Sequence, residues 1–278
     1  MRCFSYAGGE YALGKKTYIM GILNVTPDSF SDGGLWLSPE KAVAHAAEME
    51  KDGADFIDIG AFSTRPGAAD VPAEEEWRRL SAVLPAVLKS VGIPVSVDTF
   101  VPKVAQKCLE TGVSIINDVS GVFNEDMARL IKEYGAGWIM MHGGTATGKA
   151  ESEVFYANGT VAAVQLFFDR MTALSEKFGI NPEKICLDPG FGFSKNVEQN
   201  TELLKNLSSL DTHGRALLSA LSRKRFVGAL GGEPNAESRD EATLACDIMS
   251  VLGGADIVRV HNTALHAKAL RAADALIR

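Results

Sequence analysis

Several features are scarce in this 278-residue chain, and each scarcity removes a class of protein. Its four cysteines, Cys3, Cys108, Cys186 and Cys246, lie far apart with no C-x-x-C pair. That leaves no disulfide framework and no cysteine zinc site, and predicts mostly buried free thiols, because three of the four fall in apolar segments. No apolar run approaches the roughly 18 residues of a membrane span, and the first residues lack a continuous apolar signal core. Lys and Arg number 28 against 35 Asp and Glu, a net charge of −7. The basic surface that nucleic acid or an anionic membrane requires is therefore missing, and neither is expected as a partner. No low-complexity tract or Pro/Ser-rich linker divides the chain, so one domain over residues 1–278 is expected. Together these absences predict a reduced, soluble, cytoplasmic protein.

What is present is a rhythm. Eight times a short apolar run ends on a polar residue and a helix-patterned stretch follows. Tyr18–Leu23 runs into Asn24, Phe56–Ile57 into Asp58, and Pro94–Val97 into Asp98. Ser114–Ile116 leads to Asn117 and Asp118, Trp138–Met141 to His142, and Ile185–Leu187 to Asp188. Ala216–Leu221 ends on Ser222, Arg223 and Lys224, and Ile257–Val260 on His261, with Arg259 just inside. Alternation of this kind implies a parallel sheet. Eight near-equal units, with no G-x-G-x-x-G after the first, favour a (β/α)8 TIM barrel over an open sheet. A capable residue at the end of every strand is how such a barrel builds a site at its C-terminal face. Residues 3–13, with the turn signal Gly8-Gly9, predict a hairpin that closes the barrel bottom.

The helices carry punctuation. Ser38-Pro39-Glu40 reads as an N-cap with proline at the first helical position, and Gly53 as the stop. In the next helix Trp77, Leu80, Leu84, Val87, Leu88 and Val91 define one buried face, and Pro85 should kink it. Val101–Thr111, Glu125–Tyr134, Val161–Phe178, Val197–Leu210, Arg239–Leu252 and Thr263–Ile277 supply the others. Three connections exceed the usual length of about 2–6 residues. Of these, Val25–Leu37 and Gly60–Pro72 are read as functional loops, while Gly143–Gly159 stays open.

The polar ends sort by chemistry. Ser222-Arg223-Lys224-Arg225 and Arg259-Val260-His261 put four cations and a histidine at strand ends seven and eight, where barrels often bind phosphate. Lys224 and Arg259 together are read as an anion site, and Arg225 as a solvated turn residue. Asp58, Asp98 and Asp188, with Asn117, are expected to face one cavity. Carboxylates and an amide suit a heterocycle bearing N–H and NH2 donors, or a divalent metal. Asn24, heading a long polar loop, is the better candidate for Mg2+. His142 reads as structural rather than as a ligand. Phe191 and Phe193 read as core or as an aromatic wall.

These residues resemble the dihydropteroate synthase family. Gly21-Ile-Leu-Asn-Val-Thr-Pro-Asp-Ser-Phe-Ser-Asp-Gly-Gly34 is similar to its first signature and Asp58-Ile-Gly-Ala-Phe-Ser-Thr-Arg-Pro-Gly67 to its second. Ser96–Thr99, Ile116–Asp118, Asp188–Phe193, Ser222–Lys224 and Arg259–His261 follow in the family's order. The resemblance implies a homodimeric (β/α)8 transferase joining 6-hydroxymethyl-7,8-dihydropterin pyrophosphate to para-aminobenzoate. It implies that Asp98, Asn117, Asp188 and Lys224 hold the pterin. Asn24, with Mg2+, Arg259 and His261 would take the pyrophosphate, and Thr64, Arg65, Pro66, Phe193 and Ser222 would lie near para-aminobenzoate. One departure is Phe62, where the family usually has an acid. Competing readings are a non-catalytic pterin-binding paralogue and a methyltetrahydrofolate–corrinoid methyltransferase, which has no pyrophosphate to bind.

Overall fold

Side chains two apart on a strand share a face, so eight short strands split the apolar residues between two cores. The structure, a computed structural model, describes residues 2–25, 38–62, 71–143 and 156–278. A hairpin comes first, β1 (Cys3–Tyr6) and β2 (Gly9–Ala12). Next are β3 (Tyr18–Asn24), α1 (Pro39–Lys51), β4 (Phe56–Gly60), α2 (Ala73–Ser90), β5 (Val95–Asp98) and α3 (Pro102–Thr111). They are followed by β6 (Ile115–Asp118), α4 (Glu125–Tyr134), β7 (Gly137–Met141), α5 (Thr160–Phe178), β8 (Ile185–Asp188) and α6 (Val197–Lys205). The chain closes with β9 (Ala216–Ser219), α7 (Arg225–Gly231), α8 (Asp240–Leu252), β10 (Ile257–Val260) and α9 (Thr263–Ile277). Strands β3 to β10 form a closed parallel barrel in which β10 pairs with β3, the (β/α)8 architecture expected.

The inner core contains Tyr18 and Met20 of β3, Phe56 of β4, Ile115 of β6, Ile139 of β7, Cys186 of β8 and Ile257 of β10. Counting on by two from these residues gives Asn24, Asp58, Asn117, Asp188 and Arg259, so strand alternation alone directs the polar set into the upper barrel. The intervening residues, such as Ile57, Val97, Trp138 and Leu187, pack outward against the helices. Asp118 is one of these outward residues. It accepts from Trp138 Nε1 at 3.3 Å and Ser120 N at 2.9 Å, a structural acid behind the sheet. The hairpin plugs the opposite end as expected: Phe4 is fully buried in the inner core, and Tyr11 Oη donates to Asp55 O at 2.7 Å.

Some boundaries differ from expectation. Strand β4 runs two residues past Asp58 to Gly60, and β9 stops at Ser219, short of Leu221. The helix expected over Val197–Leu210 ends at Lys205, and a 3-10 turn covers Leu207–Ser209. A short helix, α7, follows Lys224 and had no periodic signal, because seven residues hold barely two turns. Helix α2 continues through Pro85. That ring is on the exposed side, where losing one hydrogen bond to proline is cheapest because water takes the freed carbonyl.

Candidate active site

Register sets the floor of the mouth. Gly60 pairs with Asp98, and Asp98 with Asn117, so the last two lie level, while Asp58 sits one step deeper opposite Ser96. Arg259 crosses the barrel to both acids: its Nε donates to Asp58 Oδ2 at 2.7 Å and one Nη to Asp98 Oδ2 at 3.4 Å. Asn117 Nδ2 donates to the same Asp58 oxygen at 3.0 Å. Burial works against the charge of Arg259, and Asp58 and Asp98 outweigh it, so the guanidinium is held above its usual value. Burial lifts Asp98 from 3.8 to about 7, with Arg259 opposing and Asp58 reinforcing the rise.

Three buried oxygens here accept no hydrogen bond from the described residues: Asp58 Oδ1, Asp98 Oδ1 and Asn117 Oδ1. Buried polar atoms are almost always paired. Such a set of acceptors could be met by a ligand rich in N–H donors.

Asp188 forms the next wall. Its Oδ1 accepts from Gly190 N at 2.7 Å, and burial raises its pKa against the pull of Lys224. Lys224 Nζ donates to Phe191 O and lies 4.7 Å from the centroid of the Phe193 ring. Burial lowers this lysine to about 8, with Asp188 working the other way. The two aromatics part company. Phe191 is buried and stacks on Phe226 at 6.0 Å, while half-buried Phe193 takes its place beside Lys224. Gly190 has φ +68°, and a Cβ there would stand 1.7 Å from His142 O, so only glycine fits.

At the seventh and eighth strand ends Arg223 has a structural partner: its guanidinium forks onto Asp240 at 2.7 and 3.0 Å, and Asp240 also accepts from Asn262 Nδ2 at 3.0 Å. Against its burial, these donors hold Asp240 below the usual carboxylate value. The fork ties the Ser222–Lys224 turn to the end of β10. Within that clamp Ser222 Oγ lies 2.8 Å from His261 Nδ1 and accepts from His261 N at 3.1 Å. Among the described residues Lys224 and Arg259 both donate to protein acceptors, Lys224 to Phe191 O and Arg259 to Asp58 and Asp98. One Nη of Arg259 makes no hydrogen bond to the described residues. Arg225 is exposed to solvent as expected, but it opens α7 instead of lying in a turn.

Asn24 ends β3 level with Gly60, where a Cβ would meet its Oδ1 at 3.6 Å. Among the described residues no group of three or more His, Cys, Asp or Glu is placed to hold a metal. Phe62 packs edge-on against Phe100, centroids 5.5 Å apart. Thr64, Arg65 and Pro66 lie outside the described residues, as does most of each long connection.

A family model for pterin binding enzymes matches residues 20–261. The chain belongs to that family. The pterin-binding enzymes most like it include the dihydropteroate synthase of Synechocystis sp., 40% identical over 266 residues, which covers 95% of this chain and 92% of that one. A structure of the dihydropteroate synthase of Clostridium difficile in the presence of pteroic acid superposes with a TM-score of 0.88 at 39% identity, covering 96% and 99% of the two chains. The Xanthomonas albilineans enzyme with 4-aminobenzoic acid gives 0.89 at 36%, covering 99% and 98%.

Two residues of this pterin-binding enzyme escaped the sequence reading. Glu76 of α2 is 2% exposed, and burial lifts its carboxyl to about 7. It precedes Leu80, Leu84 and Val87 at helical spacing, so periodicity alone could have placed it on the buried face. Lys195 is 8% exposed against His142. Nothing in its polar sequence neighbourhood marks it as buried.

Proposed function

We propose that the chain is a dihydropteroate synthase, a transferase that joins 6-hydroxymethyl-7,8-dihydropterin pyrophosphate to para-aminobenzoate and releases pyrophosphate. The carrying observation is the set of buried acceptors on Asp58, Asp98 and Asn117 that no described residue meets, with Asp188 and Lys224 alongside. The donor edge of a pterin meets these acceptors, and the Lys224 ammonium meets a ring acceptor. The Nη of Arg259 that bonds to no described residue and the imidazole of His261 face the pyrophosphate. Phe193 and Ser222 border para-aminobenzoate, together with Thr64, Arg65 and Pro66.

The reaction breaks the methylene C–O bond, and the electron pair leaves on the pyrophosphate. The positive charge left on the methylene is shared with the ring and stabilised by the buried Asp98 and Asp188. The neutral aniline nitrogen then forms the new C–N bond and gives up its proton, so the residues mainly position and neutralise. The donor set fits Mg2+ as a companion of the substrate. Asn24 Oδ1 is one neutral oxygen, and Mg2+ usually takes one or two protein ligands beside phosphates and water. When bound, the ion would offset charge on the leaving group.

The chain works as one pterin-binding unit, in the cytoplasm, where the free thiols of Cys108, Cys186 and Cys246 stay reduced. It pairs as a homodimer through Leu230 of α7 and Met249 and Leu252 of α8, which are exposed by 51%, 50% and 55%. The test is formation of dihydropteroate from both substrates with Mg2+, followed by chromatography. Wild type should make product, and Lys224→Ala and Asp98→Asn should not. Pterin pyrophosphate bound without turnover would leave a non-catalytic pterin binder.

A further inference from the structure

Lys195 lies in the interior, 8% exposed, with an ammonium that uses all three donors. Nζ donates to His142 Nδ1 at 2.9 Å, Gly190 O at 3.0 Å and Phe193 O at 3.2 Å. Burial lowers Lys195 to about 7, with Asp188 working the other way; in its ammonium form it has no acceptor, and His142 then offers the Nδ1 lone pair and carries its proton on Nε2. Burial, with Lys195 adding to it, depresses His142 to about 3, which keeps the ring neutral for this role. A buried ammonium is costly unless its surroundings are fixed around it.

What it fixes is the turn after β8. Gly190 offers its carbonyl to Lys195 and its N–H to Asp188 Oδ1 at 2.7 Å. Lys224 holds the Phe191 carbonyl from the mouth side and lies beside the Phe193 ring. Ser194, at φ +50°, reaches back from the turn to Gly143 O at 2.7 Å. Two lysines thus grip one turn, Lys195 by the Gly190 and Phe193 carbonyls and Lys224 by the Phe191 carbonyl between them.

We propose that Lys195 is a positioning residue for Asp188 and Phe193, holding both through the Gly190–Phe193 turn that it ties to His142. The proposal rests on the reading above that Asp188 holds the pterin. Loss of the ammonium frees two carbonyls and the His142 lone pair, and the Asp188 carboxylate loses its fixed backbone donor. Phe193 loses its fixed place beside Lys224.

The test compares wild type, Lys195→Met and Lys195→Gln. Circular dichroism establishes folding, calorimetry gives the affinity for dihydropterin pyrophosphate, and steady-state kinetics gives the KM for para-aminobenzoate. Folded Lys195→Met should bind the pterin substrate about tenfold more weakly, the cost of leaving buried partners unpaired. Its KM for para-aminobenzoate should rise too, and the Gln variant, which keeps two N–H donors, should fall between. A merely structural lysine would lower the melting temperature and leave the affinity of the folded molecules unchanged. That result in Lys195→Met would overturn the proposal. Should the Met variant not fold, wild-type affinity in Lys195→Gln would overturn it equally. Wild type that binds no pterin pyrophosphate would instead refute the functional reading on which it rests.

Discussion

Asp98→Asn should make the protein more stable while removing its activity, and the gain should depend on pH. Burial raises Asp98 from 3.8 to about 7 in the fold. An acid whose folded value exceeds its unfolded one favours the fold while protonated. That contribution is lost as the pH climbs from 3.8 through about 7. At pH 8 the folded protein carries a buried charge that costs about 4 kcal/mol, from about 3 units at 1.36 kcal/mol each. At pH 5 the folded acid is protonated while the unfolded chain ionises, and the cost falls to about 2 kcal/mol. Asparagine keeps the shape and has no proton to lose, so its advantage should grow by about 2–3 kcal/mol between the two pH values. In a chain of this size that is a shift of about 3–5 °C in melting temperature. Arg259 keeps its 2.7 Å bond to Asp58 in the variant, so the guanidinium is not stranded. Thermal unfolding followed by circular dichroism at pH 5 and pH 8, with product assays alongside, measures both effects. An equal change at both pH values, or a loss of stability at pH 8, would refute the reasoning that the mouth holds Asp98 against its charge.

Arg259→Ala removes the partner of a carboxylate with no exposed surface, which should lower stability by about 3–5 kcal/mol. Urea midpoints should recover in Arg259→Ala/Asp58→Asn without return of activity, and no recovery would mean that Arg259 acts through packing alone. Leu252→Asp puts a charge in the proposed dimer face, so sedimentation should find dimers for wild type and monomers for the variant. A wild type that sediments as a monomer at micromolar concentration would remove the interface.

The strand ends were legible because their signal is local. Asp98, Asn117 and Asp188 each close an apolar run, and an apolar run that alternates with helices must be a barrel strand. Asp58 was recognised as polar and inward but placed at a strand end, because the following Ile59 and Gly60 gave no sign that the strand continued. The partner of Arg223 has no sequence signal. In sequence it is one of three consecutive cations, Arg223 to Arg225, and only the fold reveals that Asp240 neutralises it.

The sequence by itself determined the eight strands, the polar ring at their C-terminal ends and the hairpin beneath, since periods of 2 and 3.6 are properties of neighbouring residues. Only the tertiary structure decided the partners. Arg259 meets Asp58 across 201 positions because β10 closes onto β3 and brings the last strand beside the first. Lys195 meets His142 across 53 positions because β7 and β8 pair in a register that sets Met141 against Asp188. Which cation neutralises which acid depends on strand register and barrel closure, and these distances have no counterpart along the chain.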